Sequence, residues 1–495
     1  MSIRKGAGPL CFSLNYRVDK IDLLNYNAFY LNPVFRRTVL NGNENIKENK
    51  MGTMPVRRLL VTMSLPMMAS MLMQALYNVV DSVFVSNLPY GEDALTAISM
   101  AFPMQNIMIA IASGTAVGVN ALLSKSLGEK NHERANEAAN AGVLLSVLSS
   151  VVMFIAGMLI SRPFMMTQTS NPEIVNMGSN YLHIVCCLSA GLFMQVMLER
   201  LLQSTGRTVF SMASQLTGAI VNIILDPILI FGYLGMPKLG VIGAAYATVI
   251  GQFCAAAVGI VLNIKKNPEI KLSLASILKP SGTAVKRIYA VGVPSILMMS
   301  IGSLMTYLMN LILASLSETA VAVFGVYFKL QSFFFMPIFG LNNGLIPIIA
   351  YNYGAKNKKR ITDTLKFALV LALAVMIVGT LLFNFIPQVL LGFFNASDDM
   401  MAIGVNALKT ISLCFPIAAV CIALISTFQA FSKSVYSLII SIIRQLGVLI
   451  PSAWLLSMTG DVGNVWWSFV IAETAGLMVT LFFFKRIYDR TISTL

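Results

Sequence analysis

Charged side chains are scarce in this sequence, 11% of 495 residues, where soluble domains carry roughly a quarter. That scarcity excludes a water-soluble fold, and a mean hydropathy of +0.76 marks an integral membrane protein. The apolar runs are continuous rather than alternating, which excludes a β-barrel and leaves an all-α bundle. Histidine is nearly absent, with two copies, and cysteine is limited to six. Cys186, Cys187, Cys254, Cys414 and Cys421 lie in apolar runs and Cys11 near the start. None has metal-ligand spacing, so neither a metal centre nor a disulfide framework is expected. The chain also lacks a GxxxxGK[ST] phosphate loop, an HExxH motif and any nucleophile–base pair. These absences argue against ATP-driven transport and against an enzyme, and no cofactor is expected.

Acids are outnumbered, 21 to 35, for a formal charge of +14. In a soluble chain that excess would suggest nucleic acid; here the positive-inside rule accounts for it. Lys and Arg gather in loops at 125–134, 265–287, 356–360 and 485–490, while Glu92, Asp93, Glu318, Asp398, Asp399 and Asp461 lie in the alternate loops. Both termini are therefore expected on the cytoplasmic face of the cell membrane. Trp454, Trp466 and Trp467 fall where an outer aromatic belt would lie. Residues 1–50 are polar, hold no run long enough for a signal peptide, and are expected to be a cytoplasmic tail.

About twelve spans follow, each near 20 residues or longer. Their expected limits are 59–86, 94–122, 137–160, 174–202, 208–234 and 239–263, then 286–314, 319–350, 363–387, 399–430, 434–457 and 462–484. A repeat divides them. At a constant spacing of 226 residues, Gly114, Gly118, Gly128, Lys130, Asn131 and Arg134 meet Gly340, Gly344, Gly354, Lys356, Asn357 and Arg360. The same spacing pairs Gly178 with Gly404, Gln203 with Gln429 and Ser211 with Ser437. Six spans per copy bring the second copy in from the same side, so the halves form a parallel 6+6 repeat. The expected organisation is an N lobe at 51–263, a linker at 264–285, a C lobe at 286–485 and a tail at 486–495.

Two acids interrupt this apolar background. Asn222 and Asp226 share a face of the fifth span, and Pro227 loosens the helix beside them. In the first span Gln74, Tyr77 and Asp81 follow i, i+3, i+7, with Asn78 on the flank. Polar packing accounts for Gln74 and Tyr77 taken alone. An acid at membrane depth costs about 2.5–3.5 kcal/mol on insertion scales, so Asp81 and Asp226 are functional candidates by default. They read as the ion-coupling centre of a secondary transporter.

Pro66, Gln74-x-x-Tyr77-x-x-x-Asp81, Asn222-x-x-x-Asp226-Pro227, "ERLLQSTGRT" at 199–208 and "GAAYAT" at 243–248 together resemble the multidrug and toxic compound extrusion (MATE) family over about 55–485. The resemblance implies two six-helix lobes around a V-shaped cleft that exports small organic, often cationic, compounds by rocker-switch alternating access. It implies that Asp81, Asn222 and Asp226, with Thr248 nearby, bind the coupling ion, H+ or Na+, and that Pro66 lets the first span bend when Asp81 is protonated. A monomer is expected. One departure matters. The branches related to NorM use C-lobe acids, whereas the repeat here sets Tyr307 opposite Asp81 and Ser452 opposite Asp226, with Asn310 near Tyr307. Coupling is therefore expected in the N lobe, as in the branch named for DNA-damage-inducible protein F.

Lys329, Lys409 and Arg444 each lie about ten residues, roughly 15 Å, into a C-lobe span, and Glu473 lies at similar depth. They are expected to be buried, either in ion pairs such as Arg444 with Glu473 or as a lining that meets anionic groups on substrate. Glu199 and Arg200 are expected to pair at the membrane interface, and His183 to be a packing residue. A lipid-linked precursor flippase of the same superfamily fits the cations too. A major-facilitator carrier has its own 6+6 repeat, but "SKSLGEKNHERA" at 124–135 lacks that family's GxxxDRxGRR-type loop.

Overall fold

The computed structural model describes residues 49–394 and 397–495. Apart from Asn49 and Lys50, the tail expected over 1–50 lies outside the described residues. Every regular element among the described residues is helical. Ten helices are long and apolar enough to cross a membrane, and two bent pairs bring the spans to twelve.

In the first half these are α1 (Val56–Ser86), α2 (Gly91–Gly128), α3 (His132–Gln168), the bent α4 (Pro172–Cys187 and Ala190–Ser204), α5 (Thr208–Phe231) and α6 (Val241–Lys266). The second half has α7 (Gly282–Ala314), α8 (Glu318–Gly354), α9 (Lys358–Phe385), the bent α10 (Asp398–Ser412 and Phe415–Ala430), α11 (Ser434–Ser457) and α12 (Trp467–Ile487). The limits agree with those expected to within about five residues, except that α2, expected to end near 122, runs to Gly128 and α3, expected to end near 160, runs to Gln168.

The repeat reaches the backbone. Val56, His132, Pro172, Thr208 and Val241 open spans whose counterparts open at Gly282, Lys358, Asp398, Ser434 and Trp467, each 226 residues on. Asn131 caps α3 by accepting from the Arg134 amide at 2.9 Å, and Asn357 caps α9 by accepting from the Arg360 amide at 3.1 Å. The left-handed turns also recur, Lys130 with Lys356 and Gly206 with Ser432. Even the bends match, 47° in α4 and 48° in α10.

The lobes meet through the helices the repeat relates. α2 packs on α7, and α8 packs on α1. At the ends that carry the Lys/Arg-rich loops, called here the basic side, α2 and α8 touch each other. A Cβ on Gly128 would collide with the Tyr351 carbonyl and the Ala355 amide. A Cβ on Gly354 would collide with the Lys125 carbonyl and the Glu129 amide, the same contact seen from the other lobe. Only glycine permits that approach. Lys125 adds a cation–π contact, its Nζ 4.9 Å from the Tyr353 ring centre.

A short strap lies across this closed end. Asn49 donates to the Thr205 carbonyl and to Glu269, while Arg360 donates to the carbonyls of Met51 (2.9 Å) and Met54 (2.8 Å). Asn352 also donates to the Met51 carbonyl. Glu269, in the segment between α6 and α7, holds Arg207 through both carboxylate oxygens. The strap thus bonds to the N lobe, the connecting segment and the C lobe.

Two sequence expectations are corrected within the C lobe. Trp466, expected in an outer belt, is fully buried and packs with Phe324, while Trp454 and Trp467 are exposed. Phe324, Tyr327, Phe383 and Phe469 complete an aromatic core that drew the indole inward. Lys329 and Lys409, expected to be buried, are exposed. Distance along a helix gives depth and leaves the direction of the side chain open, and both lysines point away from the core.

Candidate functional site

α1 turns two faces to different neighbours. Met68 and Ser64 meet Gly340 and Gly344 of α8. Tyr77 and Asp81 follow Met68 by nine and thirteen residues, about 180° and 220° around the helix, so they point back into the N lobe. There they meet α5, whose Asn222 and Asp226 are 3% and 0% exposed. Asn222 sits between two partners, its Nδ2 3.4 Å from Asp226 Oδ1 and 3.4 Å from Thr248 Oγ1 of α6. These are long, weak bonds. Asp81 and Asp226 lie within each other's electrostatic reach, and Tyr77 lies in the field of both.

The site gathers acceptors. Asp81 Oδ1, Asp226 Oδ2 and Asn222 Oδ1 are buried with no hydrogen-bond partner among the described residues. Buried oxygens without donors are costly, and hard cations take oxygen ligands while a carboxylate also takes a proton. The donor set therefore fits H+ or a small cation. No group of three or more His, Cys, Asp or Glu able to hold a metal occurs among the described residues, so the site depends on amide and hydroxyl oxygens as well.

Beside it is a cavity of about 70 Å³ lined by Gln74, Tyr77, Asn222 and Thr248 together with Ser70, Gln195, Gln215 and Gln252. Gln215 donates to Gln74 at 3.1 Å. At about 30 Å³ per water in the liquid, the cavity suits an ion with part of its hydration shell. Drug-sized ligands need roughly 300–1,000 Å³, so it excludes them.

Two members of the site carried no signal in the sequence. Tyr181 of α4 is 3% exposed and lies in the field of Asp81 and Asp226, and Gln105 of α2 donates to its hydroxyl at 2.9 Å. A single tyrosine or glutamine in an apolar span has no periodicity that would single it out.

The remaining candidates lie elsewhere. Pro66 is inside α1, which continues through it as one helix. Asn78 is exposed on the flank of α1. Tyr307 is 60% exposed on α7, eleven residues, or about three turns, beyond Ile296, which touches α2 at Gly114. Lys329 stands in the same relation to Gly340 on α8. Both side chains therefore face the opposite lobe, beyond the level at which the lobes touch. Ser452, which replaces Asp226 in the repeat, donates to the Val448 and Leu449 carbonyls of its own helix.

Arg444 lies in a π-helical stretch of α11, and its Nη1 is 3.1 Å from each Glu473 oxygen. Gly476 leaves room for the arginine stem. Glu199 and Arg200, expected to pair, do not. Glu199 accepts from Gln195 at 3.0 Å, while Arg200 donates at 2.8 Å to Asn343 of α8, across the lobe boundary. Adjacent helical residues point in different directions, which is why they separate. Asp398 and Asp399 are exposed at the start of α10, and His183 is exposed on α4.

The family model described as MatE matches residues 66–228 and 294–455, once in each lobe. The multidrug export protein MepA of Staphylococcus aureus strain MSSA476 is 27% identical over 444 residues, 89% of this chain and 96% of the relative. MepA of Staphylococcus haemolyticus is 27% identical over 431 residues, 86% of this chain and 93% of the relative. A solved structure described as the outward-facing conformation of a multidrug resistance MATE family transporter aligns with a TM-score of 0.84 at 23% identity, covering 92% of this chain and all of the other.

Proposed function

Since the chain belongs to the MatE family of transporters, we propose that it exports small organic compounds against an inward flow of H+ or Na+. What carries this proposal is the trio of unpartnered oxygens on Asp81, Asp226 and Asn222, beside a cavity that admits an ion and excludes a drug. Binding of the ion neutralises charge at Asp81 and Asp226. In alternating access this gain differs between the two states of the transporter and so drives the exchange. Pro66, about four turns from Asp81 on the same helix, supplies the missing backbone bond at which α1 bends. The C lobe has no matching acids, so coupling resides in the N lobe, as in the branch named for DNA-damage-inducible protein F. The basic side, where Gly128 and Gly354 bring α2 and α8 together, is read as cytoplasmic.

Purified protein in sealed vesicles, given a pH gradient and a sodium gradient separately, tests the proposal. Efflux of 5-carboxyfluorescein or ethidium driven by one of the two is expected. Efflux insensitive to both refutes ion coupling.

A further inference from the structure

The lobes touch at Gly340, and above that level the same face of α8 is uncovered. Phe333, Lys329 and Ala322 lie seven, eleven and eighteen residues from Gly340, all within about 20° of its direction. All three are exposed, whereas Phe324 and Tyr327, on the opposite face, are buried in the C-lobe core. The exposed strip is therefore the C-lobe wall of the space between the lobes. The facing wall is neutral at this level: the face of α1 that continues from Met68 carries Val79 and Ser82, and the face of α2 that continues from Gly114 carries Ile107 and Pro103 and meets an acid, Glu92, eleven residues or about 16 Å farther out.

Lys329 makes no hydrogen bond or ion pair among the described residues. Asp81 points the other way, into the N lobe. Glu318, at the mouth of α8, is eleven residues off, about 16 Å along the helix, beyond a Debye length of about 8 Å at physiological salt. An unpaired ammonium thus stands midway down a space with apolar walls, a setting that concentrates its field. Tyr307 and Phe333 give apolar and aromatic surface at a similar level.

We propose that Lys329 is a specificity determinant that selects substrates bearing an anionic group, a carboxylate, sulfonate or phosphate, on an aromatic or apolar body. The proposal rests on the export function above and names its substrate class. Lysine acts as a point charge and accepts all three anions without the fixed geometry arginine would impose.

Binding of 5-carboxyfluorescein and of ethidium to the detergent-purified protein, read by fluorescence anisotropy, tests it apart from export. Lys329→Met is expected to weaken carboxyfluorescein about tenfold or more, the scale of a lost charge-assisted hydrogen bond, and to leave ethidium unchanged or tighter. Lys329→Arg should retain carboxyfluorescein, and both variants should melt with the wild type, because the side chain has no partner to lose. An unmoved affinity ratio in Lys329→Met, or wild-type protein that binds ethidium in preference to carboxyfluorescein, overturns the proposal. Lys329-dependent binding of a short-chain phosphatidylglycerol with none of carboxyfluorescein overturns it in favour of a lipid cargo. Vesicle export is scored separately with Asp81→Asn, which should bind carboxyfluorescein and fail to export it. Lys329-dependent binding without export by the wild type would refute the export function and leave the anion site standing.

Discussion

Asp81 and Asp226 were legible as residues because an acid in an apolar run has few structural uses. The same logic could not reach Gln105 and Tyr181, whose hydrogen bond at 2.9 Å borders the acids, since neutral polar residues are common packing partners in membrane helices. Asp81→Asn and Asp226→Asn should each abolish gradient-driven export while the protein inserts and melts normally, because the amide is isosteric and neutral. Export at the wild-type rate by either purified variant in vesicles counts against the coupling site. Tyr181→Phe is a gentler probe. It strands the Gln105 amide donor, which should lower stability by about 1–3 kcal/mol, and the melting curve gives the answer directly.

Among the elements, α11 departs from its counterpart α5. Where α5 is a regular helix carrying Asn222 and Asp226, α11 is π-helical over Ile443–Leu449 and pairs Arg444 with Glu473 of α12. Side-chain exposures of 15% and 18% place this pair largely out of water. Removing one partner leaves a buried charge, which costs about 3–5 kcal/mol in comparable cases. Arg444→Met and Glu473→Gln should each lower the melting temperature, and the double substitution should recover much of the loss. Additive losses in that double-mutant cycle would show that the two side chains are not coupled. The pair could be proposed from depth alone because only one acid lies deep in the C lobe. Depth did not serve for Lys329 and Lys409, where direction around the helix decides exposure.

For the molecule as a whole, the 226-residue repeat made the twelve-span, two-lobe arrangement readable before any coordinates. Its glycines had a meaning the sequence did not disclose: Gly128 and Gly354 are where the two lobes touch. A valine at either position should hold the basic side apart, so accessibility of a cysteine placed at Ala355 to a membrane-impermeant thiol reagent should rise. Unchanged labelling would show that the contact is not needed for closure. The repeat sets Tyr307 and Ser452 where the N lobe has Asp81 and Asp226, which leads to a second whole-molecule expectation. Neutralising Asp398 and Asp399 together should leave export nearly intact, and a loss as deep as that of Asp81→Asn would move coupling into the C lobe.

The strap at Asn49–Met54 binds largely through main-chain oxygens, those of Met51 and Met54 on one side and Thr205 on the other. Asn49 holds Thr205 and Glu269 by its side chain, but a carbonyl is the same in every residue, so the grip of Arg360 on the strap is written in chain length rather than in residue identity. Comparison of related sequences by letter would pass over it, while a count of residues between the tail and α1 would find it. Exchange of exposed Thr53 for another side chain should therefore go unnoticed by the transporter, and its excision, which shifts the carbonyls out of the reach of Arg360, should not.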